Sequence, residues 1–169
     1  LGELGLMGLP IPEEYGGAGG DTVSYALAIE ELTRIDSSVA ITVAAHTSLG
    51  TMPIYLFGSE EQKQRYLPDL CAGLKLGAFG LTEPEAGSDA GNVKTSAKLD
   101  GGEWVVNGAK QFITNSGSDI TSVVTVTART GTSTDASGKE RAEISTVIVP
   151  AGTPGFVVEP AYDKLGWHA

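Results

Sequence analysis

The apolar residues of this chain change their spacing once, at the stretch Gly77 to Asn92 (GAFGLTEPEAGSDAGN). Before it they recur every three or four residues, the period of a helix; after it they alternate, the period of a strand. Helices gathered before one seam and strands gathered after it predict an α+β chain. The expected organisation is an all-helical domain over 1–76, followed by an antiparallel β-sandwich or barrel domain over 77–169. The seam itself begins as an apolar, strand-like entry, Ala78-Phe79-Gly80-Leu81. It then becomes a Gly- and hydroxyl-rich turn carrying Thr82, Glu83, Gly87, Ser88 and Asp89. Small residues in such a turn let main-chain N–H groups come close to an anionic group. Taken alone, Gly87-Ser88-Asp89 is ordinary turn chemistry.

In the first half, Leu4 to Pro12 reads as a helix end running into a turn. Asp21 is an N-cap for a helix whose Tyr25, Ala28, Ile29, Leu32 and Ile35 fall on one face. From Asp36 to Glu60 the chain carries no charge between the two end residues, a length that invites comparison with a membrane span. Thr42, His46, Thr47, Ser48, Thr51 and Pro53 interrupt it, whereas a span needs about 20 predominantly apolar residues, so a helix buried inside a bundle is expected. His46 is expected as a hydrogen-bonded core residue. Ser59 and Gln62 have the spacing of a capping box, and Pro68 predicts a new helical start, with Leu67, Leu70, Cys71 and Leu74 as its apolar face.

In the second half, Val93, Thr95, Ala97 and Leu99 alternate with Lys94, Ser96, Lys98 and Asp100, and Asp100-Gly101-Gly102-Glu103 turns the chain into Trp104-Val105-Val106. Asn107-Gly108 signals another turn, with a strand expected over Lys110 to Thr114. Two further β-branched runs, Ser122 to Ala128 and Glu143 to Val149, flank a Gly/Ser/Thr/Asp-rich stretch, Arg129 to Arg141, expected to be a mobile hairpin loop. Pro150 and Pro154-Gly155 then turn the chain into Phe156-Val157-Val158.

The 11 Lys and Arg against 21 Asp and Glu give a net charge of −10, which argues against nucleic acid or an anionic membrane surface as the main partner. The single cysteine, Cys71, allows no internal disulfide, and no metal-ligand spacing is found, so no metal is expected. The N-terminal stretch does not read as a secretory signal or transit peptide.

GLTEPEAGSDAGN resembles the flavin-proximal signature of the acyl-CoA dehydrogenases. Gly80, Leu81, Thr82, Glu83, Ala86, Gly87, Ser88 and Asp89 fit the pattern, while Asn92 stands where the family has Gly, Ser or Ala. A second block, Asn107 to Asn115 (NGAKQFITN), resembles the family's Asn-Gly-x-Lys-x-aromatic-Ile-Thr-Asn segment, with Phe112 where Trp is frequent. A third, Asp163 to Ala169 (DKLGWHA), resembles its Lys-x-Gly-x-Arg segment, with His168 where Arg is common.

The resemblance implies FAD as cofactor, with Phe79, Leu81 and Thr82 near the isoalloxazine and Gly87 and Ser88 near the pyrophosphate. Phe112, Ile113 and Thr114 would form the second flavin segment; on periodicity alone Phe112 and Ile113 read as sheet core. Ser88 would also face the thioester arm of a bound acyl-CoA. The implied reaction oxidises an acyl-CoA to the 2,3-enoyl-CoA, passing electrons through FAD to an electron-transfer flavoprotein. A homo-oligomer, tetramer or dimer, in the cytoplasm or mitochondrial matrix, with the cytoplasm preferred, completes the expectation. No catalytic residue is assigned within 1–169, because the family's base carboxylate belongs to a C-terminal helical domain. Glu83 and Asp89 are read as turn-capping groups rather than an acid/base pair. Two other classes remain open at this point: a catalytically silent flavin or acyl-CoA binding module, and a flavin monooxygenase on the same scaffold.

Overall fold

The computed structural model describes residues 1–169, the whole chain given. They form two compact units: one from 1–79, 114–124 and 150–169, the other from 80–113 and 125–149. Residues 114–124 and 150–169 lie beyond the seam yet belong to the first unit.

That first unit is mainly helical. After short 3₁₀ turns, α1 spans Thr22–Ile35, and the Asp21 carboxylate accepts the Ser24 N–H at 2.7 Å, as its N-cap position demands. Ile29 and Leu32 pack against Met7, Val43 and Leu76, whereas Ile35, expected on the same face, is 90% exposed. Asp36 breaks the helix in an extended conformation and caps α2, Ser37–Ala45, by accepting the N–H groups of Ser38 and Val39. A widened π-type turn, His46–Thr51, joins α2 to α3, Met52–Phe57. The stretch Ser37–Phe57 is long and apolar enough to cross a membrane by length and composition. Its His46, Thr47 and Thr51 are fully buried and hydrogen-bonded, but Leu49, Leu56 and Phe57 are exposed, so the stretch is buried on one side rather than enclosed within a bundle as expected.

The capping box at Ser59 and Gln62 is present, opening α4, Glu60–Cys71. Pro68 does not start a helix; it lies inside α4. An interior proline costs about 3 kcal/mol, but Leu67, Leu70 and Cys71 all face the core, and fully burying large apolar side chains contributes about 1.5–3 kcal/mol each. Gly73, at φ 69°, ends the helical path and leaves Leu74 exposed instead of on the apolar face.

The sheet comprises β1 (Leu76–Gly80), β2 (Ser96–Asp100), β3 (Glu103–Asn107), β4 (Thr121–Thr134) and β5 (Glu140–Pro150). Its order is β1-β4-β2-β3, with β5 also on β4. β2 and β3 make the expected hairpin, in register Lys98↔Val105 and Leu99↔Trp104, closed by Gly101 and Gly102, both at positive φ. The sheet is mixed rather than antiparallel throughout. The connection 108–120 carries the chain past β2 to its other side, so β4 runs parallel to β2, with Ser96 opposite Arg129 and the Arg129 N–H on the Thr95 carbonyl at 2.8 Å.

Three local expectations are corrected. Lys110 to Thr114 is not a strand, for Phe112 and Asn115 have φ of 62° and 65°, outside the β region. Arg129 to Arg141 forms the expected hairpin, but most of it is strand rather than loop: β4 and β5 extend into it and leave only 135–139 as the turn, closed by Asp135. That carboxylate accepts the N–H groups of Ser137 and Lys139 and pairs with Arg141 Nε at 2.8 Å. Phe156-Val157-Val158 follows its turn without becoming a strand.

Candidate functional site

The two motif blocks are tied together in the second unit by a buried ion pair. β1 ends at Gly80, and the following turn brings Glu83 inside, 4% exposed, where its N–H and carbonyl exchange hydrogen bonds with Ala86. The Glu83 carboxylate accepts the main-chain N–H groups of Lys94 and Thr95, and Lys110 Nζ at 2.7 Å. Lys110 Nζ also donates to the Leu81 carbonyl at 3.1 Å and to Thr127 Oγ1 at 3.0 Å, so all three of its donors are committed. Next to it the Gln111 N–H donates to the Thr82 carbonyl at 2.9 Å. Lys110 and Gln111 of the second block therefore hold Leu81, Thr82 and Glu83 of the first. Behind them, Gly108 lies where a Cβ would come 2.3 Å from Thr95 Oγ1, which explains the glycine of Asn107-Gly108.

Burial by itself raises the pKa of the Glu83 carboxyl, but the Lys110 ammonium and the Lys94 and Thr95 donors outweigh it and hold the pKa at about 2. A carboxylate so stabilised is a poor base. Glu83 is thus a structural group, in line with its reading as a capping residue. Asp89 lies exposed in the same loop, its carbonyl accepting the Asn92 N–H at 3.0 Å.

Around this locked interior the predicted flavin-contacting residues face outward. In the second unit Leu81 is 36% exposed and Thr82 half-buried, Gly87 and Ser88 are exposed, and an added Cβ at Gly87 would meet nothing within 4 Å. Phe112 is 66% exposed and held at φ 62°, a left-handed conformation unusual for a bulky residue, with half-buried Ile113 next to it. Neither is core, as periodicity alone would make them. The Thr82–Gln111 bond and the Lys110 contacts bring Leu81 and Thr82 to the segment that carries Phe112 and Ile113. Phe79, half-buried near the end of β1, and Thr114, exposed, belong to the first unit. There Asn115, which follows Thr114, donates from Nδ2 to the Thr42 carbonyl at 3.0 Å and accepts from Thr121 Oγ1.

Sequence reasoning missed Lys110 as the partner of Glu83. Its signal was the lysine of NGAKQFITN itself, the one charged residue of that segment. His46 is fully buried: its Nδ1 accepts the Gly77 N–H at 3.1 Å, which puts the ring proton on Nε2, donating to the Leu70 carbonyl at 3.0 Å. Burial pushes its pKa down to about 4, so it is a neutral core residue. No cluster of three metal-ligating side chains is present.

Comparison with known proteins gives two family matches: "Acyl-CoA dehydrogenase, N-terminal domain" over residues 1–74 and "Acyl-CoA dehydrogenase, middle domain" over 78–169. A Bacillus subtilis (strain 168) relative, "Probable acyl-CoA dehydrogenase YngJ", is 54% identical over 98% of this chain and 42% of its own length. Among solved structures, a chain described under "Electron transferring flavoprotein of Acidaminococcus fermentans" superposes with TM-score 0.86 at 46% identity. That match covers 99% of this chain and 42% of the other. An acyl-CoA dehydrogenase of Bacillus anthracis complexed with FAD superposes at 0.85 with 45% identity, covering 98% of this chain and 27% of that one. The chain thus spans less than half the length of the relatives it matches.

Proposed function

The chain belongs to the acyl-CoA dehydrogenase family, and we propose that it supplies the N-terminal and middle portions of an FAD-dependent enzyme oxidising an acyl-CoA to the 2,3-enoyl-CoA. The observation that carries this reading is Phe112: an aromatic side chain held exposed in a strained backbone conformation, on the segment that Lys110 and Gln111 fasten to Leu81 and Thr82. Strain of that kind, of order 1–3 kcal/mol, persists where the surrounding structure over-determines it, and it clusters at ligand sites.

The residues present fit FAD. Within the second unit Phe112 and Leu81 offer apolar surface to a planar ring, Thr82 offers a hydroxyl, and Gly87 leaves the backbone open to a phosphate with Ser88 next to it. Bound FAD would supply the redox chemistry, accepting a hydride from the substrate's β-carbon. Phe79, Leu81, Thr82, Phe112, Ile113 and Thr114 would position the ring, and Ser88 would serve both the pyrophosphate and the thioester arm. The base that removes the α-proton is assigned to none of these, since Glu83 is consumed by Lys110 and two main-chain N–H groups. An electron-transfer flavoprotein as acceptor, a homo-oligomeric assembly, the domain division 1–76 and 77–169, and a cytoplasmic site complete the proposal.

The test is direct. The full-length protein is expected to purify yellow, to bleach on addition of an acyl-CoA, and to reduce an artificial electron acceptor. Thr114→Val should slow flavin bleaching in stopped flow while leaving acyl-CoA affinity unchanged, because a donor aimed at developing charge counts more in the transition state than in the ground state. A protein that binds no FAD under any condition refutes the reading.

A further inference from the structure

The first motif block has one main-chain donor whose direction is set from a distance. Every peptide bond in the chain is trans, so the carbonyl of Leu81 and the N–H of Thr82, which share one peptide plane, point in opposite directions. Lys110 Nζ takes that carbonyl at 3.1 Å, which turns the Thr82 N–H away from the ion pair. No main-chain carbonyl accepts it there. The next peptide is fixed in the same way: its carbonyl, on Thr82, accepts from Gln111 N–H, and its N–H, on Glu83, is used by the Ala86 carbonyl. Of the two peptides, only the first presents a donor outward, and Lys110 decides which way it faces.

We propose that Lys110 is a positioning residue for the flavin chemistry: by holding the Leu81 carbonyl inward, it aims the Thr82 N–H at the bound ring. The inference rests on the FAD-dependent reading given above. The Lys110 side chain is 10% exposed and its ammonium has three fixed acceptors, Leu81 O, Glu83 Oε1 and Thr127 Oγ1, so it has no donor left for a ligand of its own. Glu83 neutralises it at 2.7 Å, which confines its influence to geometry rather than to long-range charge. The Thr82 N–H is the group that acts, since a preorganised donor pointed at a ring that gains negative charge stabilises the reduced form over the oxidised one. Removing Lys110 frees the Leu81–Thr82 peptide to rotate, and the donor is lost to the ring.

The experiment uses the full-length holoprotein and measures the two-electron midpoint potential and visible spectrum of the bound FAD in wild type, Lys110→Met and Thr127→Val. Lys110→Met keeps the length and apolar stem of the side chain and removes its donors. The expected result is bound FAD with a tenfold loss of preference for the reduced form, a fall of about 30 mV for a two-electron couple, and a shifted flavin absorption envelope. Flavin reduction by acyl-CoA should slow at unchanged acyl-CoA affinity. Thr127→Val leaves the Glu83–Lys110 pair in place but removes one anchor of Nζ, and a smaller fall of the same sign is expected; this variant decides the matter if Lys110→Met does not fold. A merely structural Lys110 would lower thermal stability or FAD content and leave the potential and spectrum of the bound fraction at wild-type values, which overturns the proposal. Absence of FAD from wild type would instead overturn the functional reading beneath it, and the wild-type arm detects that separately.

Discussion

His46 should make the first unit acid-labile at a mildly acidic pH. Its ring is fully buried and bridges the Leu70 carbonyl, at the end of α4, to the Gly77 N–H in β1, with Thr51 Oγ1 3.3 Å from Nε2. Burial disfavours the charged ring and lowers its pKa from 6.5 to about 4, so the folded state binds fewer protons than the unfolded state between those limits. Stability contributed by the neutral ring is therefore complete above pH 6.5, falls as the pH drops through the interval, and is gone below about pH 4. At 1.36 kcal/mol for each unit of displacement the loss amounts to ~3 kcal/mol, a large part of a typical domain's stability. His46→Gln can still donate to Leu70 but does not titrate, and it leaves the Gly77 N–H short of an acceptor, at a cost of ~1–3 kcal/mol at neutral pH. Urea unfolding at half-unit steps from pH 7.5 to 4 should show the wild type steeper than the variant, with the gap between them closing or reversing by pH 4. A gap of constant size across that range, or a ring that titrates near 6.5 by NMR, would refute the linkage.

Two other perturbations test the packing and the ion pair. Glu83→Gln strands the Lys110 ammonium in a buried position and should destabilise the protein by ~3–5 kcal/mol at neutral pH. Because the wild-type carboxyl is depressed from 4.5 to about 2, its contribution is complete above pH 4.5 and lost as the pH falls toward 2, so denaturation curves should show the two proteins converging over that acidic window and nowhere else. Gly50→Ala places a Cβ 2.4 Å from the Gly77 carbonyl group, a backbone contact that cannot yield like a side chain, and should cost ~1–3 kcal/mol in thermal melts. Gly87→Ala, where the added Cβ meets nothing within 4 Å, is the control and should stay within ~0.5 kcal/mol.

Features set by neighbours in sequence were legible. Asp21 and the Ser59–Gln62 box cap their helices because a cap is decided within one turn, and Gly101-Gly102 closes its hairpin because glycine reaches the positive φ that a two-residue type I′ loop needs at both positions. Features set by distant packing were not. Pro68 breaks a helix by every local criterion, yet α4 runs through it because Leu67, Leu70 and Cys71 bury their side chains together. Arg129 to Arg141 has loop composition, yet it pairs as the arm of β4 and β5, with a turn whose charge partner, Arg141, lies six residues from Asp135. The parallel placement of β4 beside β2 depends on the path of 108–120, which no alternation of residues encodes.

The candidate site shows the same division more sharply, because a motif marks residues without separating those that act from those that hold. Thr82 and Glu83 are adjacent in one block, and Lys110 and Phe112 nearly so in the other, yet burial sends them to opposite duties. Glu83 and Lys110 are enclosed and saturated with partners, while Phe112 is turned out to 66% exposure. The alternation of side chains along an extended strand would place Lys110, Phe112 and Thr114 on one face, and that is why periodicity sent Phe112 into a core. Left-handed backbone at Phe112 and again at Asn115 breaks the alternation, so Lys110 can stay inside as an anchor while Phe112 stands outside. An anchored lysine and a strained aromatic two residues apart cannot both be satisfied by a regular strand. The irregular segment is accordingly what lets the two arrangements coexist, with Lys110 held on its inner side by Leu81, Glu83 and Thr127.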